Sequence, residues 1–162
     1  MVSSKKMATK TQKLLRLKGG DIVLLVEAWL ILSWVDLVMS LLPYSRWSHW
    51  LQGPNPRPLE KSSLNLGIDA QVTRIIRFSE IAARHHIRPM NCLRRTFAQQ
   101  RLLRHHHLQS DIHIGVRKAE NGLEAHAWLS TQGQVINDAP DVSQGYAELE
   151  ANQWAKIARF ID

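Results

Sequence analysis

The chain has 162 residues and a mass of 18.6 kDa, enough for one domain with a sizeable core, and its 44% hydrophobic and 22% charged residues are ordinary for a globular protein. A single cysteine, Cys92, excludes an internal disulfide and a zinc knuckle, so a reducing, cytoplasmic setting is expected. The formal charge of +7 suggests an acidic partner, yet the cations are spread over several elements without the interleaved aromatics of a single-strand binder, and no nucleic acid is expected.

Residues 1–20 form a basic, flexible lead-in with Lys5, Lys6, Lys10, Lys13, Arg16 and Lys18, ending in Gly19-Gly20. Asp21 can cap a helix from Ile22 to Leu42, stopped by Pro43, within an N-terminal helical segment 21–51. This stretch is apolar nearly all round and long enough for a membrane span. Glu27 and Asp36 interrupt it, each costing about 2–3 kcal/mol at a bilayer centre, and no small-residue cleavage site follows as in a signal peptide. Residues 21–42 must therefore bury themselves against the domain, a partner or a membrane surface. Tyr44, Trp47 and Trp50 suit either an interface belt or a packing corner. Pro54, Pro56 and Pro58 with Gly53 mark residues 52–68 as a linker, and the core is expected over 69–162.

Asp69 can cap a second helix whose buried face is Val72, Ile75, Ile76, Ser79 and Ala83, ending near His86. Asn91 is a good N-cap for a third, buried through Leu93, Phe97 and Leu102 or Leu103. His105-His106-His107 ends it. Three adjacent histidines cannot all point one way, so a solvated helix end is expected and no metal site. From Asp111 the period becomes two, with Ile112, Ile114 and Val116 facing inward, then a turn at Asn121-Gly122 and a strand from Leu123 to Ser130. Gly133 leads into a third strand, Gln134 to Asp138, and Leu149, Trp154, Ile157 and Ile161 predict a final helix from Tyr146 to Ile161. The fold class expected is α+β, with the cysteine at the N-terminus of a helix packed on a small antiparallel sheet.

A thiol at a helix start sits where free backbone N–H groups and the helix dipole favour a thiolate, and Arg94 and Arg95 would push the same way. The bland alternative is a small buried hydrophobe. If Thr131, Gln132 and Gly133 form a three-residue turn, Ser130 pairs with Gln134 and His126 with Asp138, which puts imidazole and carboxylate on one face. A two-residue turn would throw Asp138 to the other face. Trp128, the same-face neighbour of His126, could shield that pair from water and is a candidate substrate contact.

Cys92-Leu93 opening a helix, Ile114-Gly115-Val116-Arg117-Lys118, Ala125-His126-Ala127-Trp128, and Asp138 twelve residues after the histidine together resemble the transglutaminase-like B protein of lasso-peptide biosynthesis, over about Arg88 to Ala147. The N-terminal helical stretch resembles that of the stand-alone peptidase form. The resemblance implies a papain/transglutaminase-type core that cleaves the leader from a ribosomally made precursor peptide without a cofactor. Carried over, Cys92 is the nucleophile, His126 the base and leaving-group acid, and Asp138 the orienter, with Asn137 and Asp141 as flanking alternatives. It also implies two partners: a separate PqqD-like leader-recognition protein and an asparagine-synthetase-like lasso cyclase. His105-His106-His107 replaces a helix end that tends to be rich in Arg and Gly in that family. The competing class is a non-catalytic transglutaminase-like adaptor that holds the precursor or the synthetase.

Overall fold

The computed structural model of the chain describes residues 19–43, 46, 70–120 and 122–150. The lead-in before Gly19, the proline-rich linker, Tyr44, Trp47, Trp50, Asn121 and the tail from 151 onward lie outside the described residues. Among the described residues, three helices, α1 (Gly19–Leu41), α2 (Ala70–Arg84) and α3 (Cys92–His105), precede four strands: β1 (Asp111–Ala119), β2 (Gly122–Thr131), β3 (Gln134–Val135) and β4 (Ala147–Glu148). The sheet is antiparallel in the order β3-β2-β1-β4. The α+β class read from the sequence is therefore the class of the fold.

The helix α3 is the middle layer: one side lies on β2 and β1, and the other receives α1 and α2. Its apolar spacing explains this, since Leu93, Phe97, Leu102 and Leu103 are all buried. They join Leu24, Leu32 and Val35 of α1, Val72 and Ile75 of α2, and Ile114, Ala127 and Leu129 of the sheet in one continuous core. Burying a side chain such as Leu103 contributes about 1.5–3 kcal/mol. The two acids that interrupt α1 are both used to dock it on α3. Asp36, which is buried, pairs with Arg94 at 3.4 Å and Arg88 at 3.3 Å near the start of α3. Glu27 meets His105 and His106 at its end. Asp21, expected as a cap, lies within the helix and accepts hydrogen bonds from Arg74 Nε (3.0 Å) and Nη2 (2.6 Å) on α2.

Three expectations need correcting. The turn after Thr131 has two residues: Thr131 pairs with Gln134 and Ser130 with Val135, and both loop residues, Gln132 (φ 51°) and Gly133 (φ 79°), are left-handed. That is the type I′ turn whose twist suits a hairpin. The third strand ends at Val135 instead of running to Asp138. Tyr146 to Glu150 are not helical, because Ala147 and Glu148 pair with Val116 and Gly115, and the N–H of Leu149 donates to Ile114 at 2.8 Å.

Candidate active site

Asn91 caps α3 by accepting the N–H of Arg94 at 2.9 Å, and this places Cys92 in the first turn at the edge of the sheet. His126 projects from β2 toward it and is hydrogen-bonded to the thiol. On its other side, His126 Nε2 donates to Asp138 Oδ2 at 2.6 Å, which leaves Nδ1 to face the sulfur. Asp138 Oδ1 accepts the N–H of Ala139 at 2.7 Å, so both carboxylate oxygens are held. Cys92, His126 and Asp138 thus form one line of hydrogen bonds.

The two-residue turn should have carried Asp138 to the wrong face. A continued ladder would pair it with Ala127 and direct it away from His126. The chain avoids this by leaving the ladder. The N–H of Ile136 still donates to Leu129 at 3.0 Å, but the N–H of Leu129 is taken by the side-chain oxygen of Asn137, at 2.7 Å, instead of the Ile136 carbonyl. From there the backbone bends and Asp138 swings round to the imidazole. Leaving the ladder also frees the edge of β2 at Ala127. Its N–H now serves the Cys92 sulfur, and its carbonyl accepts Thr96 Oγ1 at 3.0 Å.

One face of α3 therefore holds all three groups in register. Cys92 stands at its start. Thr96, one turn on, grips the residue beside His126. Gln99, a further turn on, grips the residue beside Asp138, since its Oε1 accepts Asn137 Nδ2 at 2.8 Å. The amide orientations follow from a carboxylate, which can only accept: Gln99 Nε2 donates to Glu80 Oε1 at 2.7 Å, so its oxygen must be turned to Asn137. Thr96 and Gln99 are each 1% exposed, where a lost hydrogen bond is costly. Neither was legible as functional in the sequence; the only signal was a pair of polar residues at positions where the helix should be apolar.

Burial pushes the Cys92 thiol up, but the His126 hydrogen bond, the N–H of Ala127, the charge on His126 and the N–H of Leu93 outweigh it and hold the thiol below its ordinary range. The Cys92 hydrogen bond, opposed by burial and reinforced by Asp138, raises His126 to about 9. Both shifts favour a thiolate–imidazolium pair. Arg94 and Arg95, expected to supply part of this effect, are occupied elsewhere: Arg94 faces Asp36, and Arg95 pairs with Glu80 at 3.2 Å.

Trp128, expected to touch substrate, is 1% exposed and instead packs beneath the site. Its ring lies 6.2 Å from that of His126 and stacks on His113 at 5.6 Å. The half-buried aromatic against His126 is Tyr146, with ring centroids 5.2 Å apart, a neighbour that the sequence had assigned to a helix. Tyr146 reaches it because Gly115, the cross-strand partner of His126, has no side chain. Of the alternatives for the third member, Asn137 is committed to Leu129, Gln99 and Thr96, and Asp141 lies at the start of the short 3-10 turn Val142–Gly145.

The histidine run is more than a solvated helix end. His106 Nε2 lies 3.0 Å from Glu27 Oε2, and His105 meets the other oxygen. The ligand atoms of these three residues lie within 4.8 Å of one another, a spacing that a cation could use. Charge pairing at a helix C-terminus accounts equally well for the contact. The cluster sits at the opposite end of α3 from Cys92.

No curated protein and no solved structure matches the chain. Residues 38–151, more than half of it, match the Transglutaminase-like superfamily. That superfamily includes cysteine peptidases. The matched span contains Cys92, His126, Asp138 and the helix that ties them together, and the chain belongs to the transglutaminase-like superfamily.

Proposed function

We propose that this chain is a cysteine peptidase that removes the leader from a ribosomally made lasso-peptide precursor. The observation that carries the reading is the hydrogen-bonded line Cys92–His126–Asp138, with the thiol lowered and the imidazole raised. The resemblance of the surrounding motifs to the lasso-peptide B protein supplies the substrate class. In this mechanism the Cys92 thiolate attacks the scissile carbonyl carbon, and the positive end of the α3 dipole favours the negative charge that develops on the carbonyl oxygen. As the C–N bond breaks, the His126 imidazolium gives its proton to the departing amine of the core peptide. The neutral imidazole then takes a proton from water, whose oxygen attacks the thioester, releasing the leader carboxylate and restoring the thiolate. Asp138 holds the imidazole orientation throughout.

The freed amine would be the group on which an asparagine-synthetase-like cyclase closes the macrolactam ring. The same resemblance assigns leader recognition to a separate PqqD-like protein. The test is to mix the purified protein with the precursor and the recognition protein and to follow leader release by mass spectrometry. Wild type should release leader and Cys92→Ala should not; equal rates would end the reading. Precursor binding by wild type without any cleavage would favour the non-catalytic adaptor.

A further inference from the structure

The helix α1 carries two apolar faces. One, through Leu24, Ala28, Leu32, Val35, Val38 and Met39, is buried in the common core. The other displays Ile22, Val23, Val26, Leu30, Leu37 and Leu41, each at least half exposed. At about 100° of rotation per residue, these six fall within roughly one quarter to one third of the helix circumference. No charged residue lies inside that stripe, because Glu27 and Asp36 are turned to α3. Cations flank both of its edges. Arg88 donates to Ser40 on one side at 3.1 Å, and the Arg101 guanidinium lies 4.1 Å over the Trp34 ring on the other. Six further cations, Lys5, Lys6, Lys10, Lys13, Arg16 and Lys18, directly precede the helix in sequence. Five of the six stripe residues, all but Leu41, precede residue 38, where the superfamily match begins.

We infer that this stripe seats the protein on an anionic bilayer surface, with α1 lying in the plane of the interface. The buried face and the two docked carboxylates keep the helix on the protein, so it does not span. Its outer face enters the headgroup–acyl boundary to a depth of about 5–10 Å, while Arg88 and Arg101 at its edges meet lipid phosphates. A second copy of the chain is the poorer occupant: it would bring the same arginines together on chains that each carry +7.

The test is co-sedimentation of the full chain with vesicles of phosphatidylcholine alone or mixed with phosphatidylglycerol. Wild type should sediment with the anionic vesicles, less so as salt is raised, and stay in solution with the neutral ones. Replacing two exposed residues, Val26→Glu with Leu30→Glu, should weaken binding by more than about tenfold. Unchanged circular dichroism and an unchanged Cys92 alkylation rate would show that the variant is folded. Failure of wild type to bind anionic vesicles, or equal binding by the variant, would overturn the inference. So would a wild-type dimer that the two glutamates dissociate without any vesicle binding by either protein.

Discussion

The side-chain oxygen of Asn137 accepts the N–H of Leu129 at 2.7 Å, in the place that the Ile136 carbonyl would fill if the third strand continued. This one substitution of side chain for backbone ends β3, frees Ala127 for the thiol and turns Asp138 onto His126. Asn137→Ala should leave the Leu129 N–H and the Gln99 oxygen unpaired, costing about 1–3 kcal/mol for each group that stays dry. Leader release should fall by about ten- to a hundredfold, because Asp138 loses its anchor. Denaturant unfolding and single-turnover cleavage measure the two effects separately.

The pH profile follows from the ion pair. Below the lowered range of Cys92 the thiol holds its proton and the nucleophile is lost. Above about 9 His126 loses the proton that the leaving amine needs. The rate should therefore rise through the acid limb, reach a plateau and fall near pH 9. Asp138→Asn removes a charge that helps to raise His126, so its alkaline limb should move to lower pH, with a rate loss of about 10²–10⁴-fold. A profile whose alkaline limb does not move would remove Asp138 from the mechanism.

Gly115 should not tolerate a side chain. A Cβ there would sit 2.7 Å from Tyr146 Cβ and 3.0 Å from the Trp128 ring, and neither can yield without shifting the aromatic wall of His126. Gly115→Ala is expected to cost about 1–3 kcal/mol and to slow cleavage. Tyr146→Ala, which removes the same ring contact without a clash, should slow cleavage with a smaller loss of stability. Thermal unfolding and kcat/KM for the two variants distinguish wall from clash.

Arg94 provides the opposite pattern. It stands two residues from the nucleophile, but its charge is spent on the buried Asp36. Arg94→Met should destabilise the protein by about 3 kcal/mol or more, because it removes one partner of a buried carboxylate. It should leave the titration of the Cys92 thiol where it is. A shift of the thiol toward its ordinary range would show that the arginine acts on the sulfur after all.

How much of this was legible depended on the range of the interaction. Local signals worked: Asn91 caps α3, the period-two run from Asp111 is β1, and the apolar spacing of Leu93, Phe97 and Leu103 gives the buried face. The triad residues can be picked out by type and spacing, and the structure brings all three together, but not through a continued β2–β3 ladder. Pairing His126 with Asp138 on a continuous ladder requires a three-residue turn, whereas positive φ at both Gln132 and Gly133 closes a two-residue one. Asp138 arrives by a bend whose cause, Asn137 gripped by Gln99, is a contact between residues 38 positions apart. Arg94 and Arg95 misled for a related reason. Sequence proximity to Cys92 suggested an electrostatic role, while their partners, Asp36 and Glu80, come from other helices. Tyr146 was hidden because its spacing with Leu149 suits a helix, and only pairing with β1 makes the segment extended.

The central claim is that Cys92 is a thiolate held by an imidazolium. Because it is the only cysteine in the chain, thiolate ultraviolet absorbance or the rate of iodoacetamide alkylation against pH reports on it alone. Wild type should titrate below the range of a free thiol, and His126→Ala should return it toward that range. A wild-type thiol that titrates as an ordinary cysteine, or stays inert at every pH, would contradict the account.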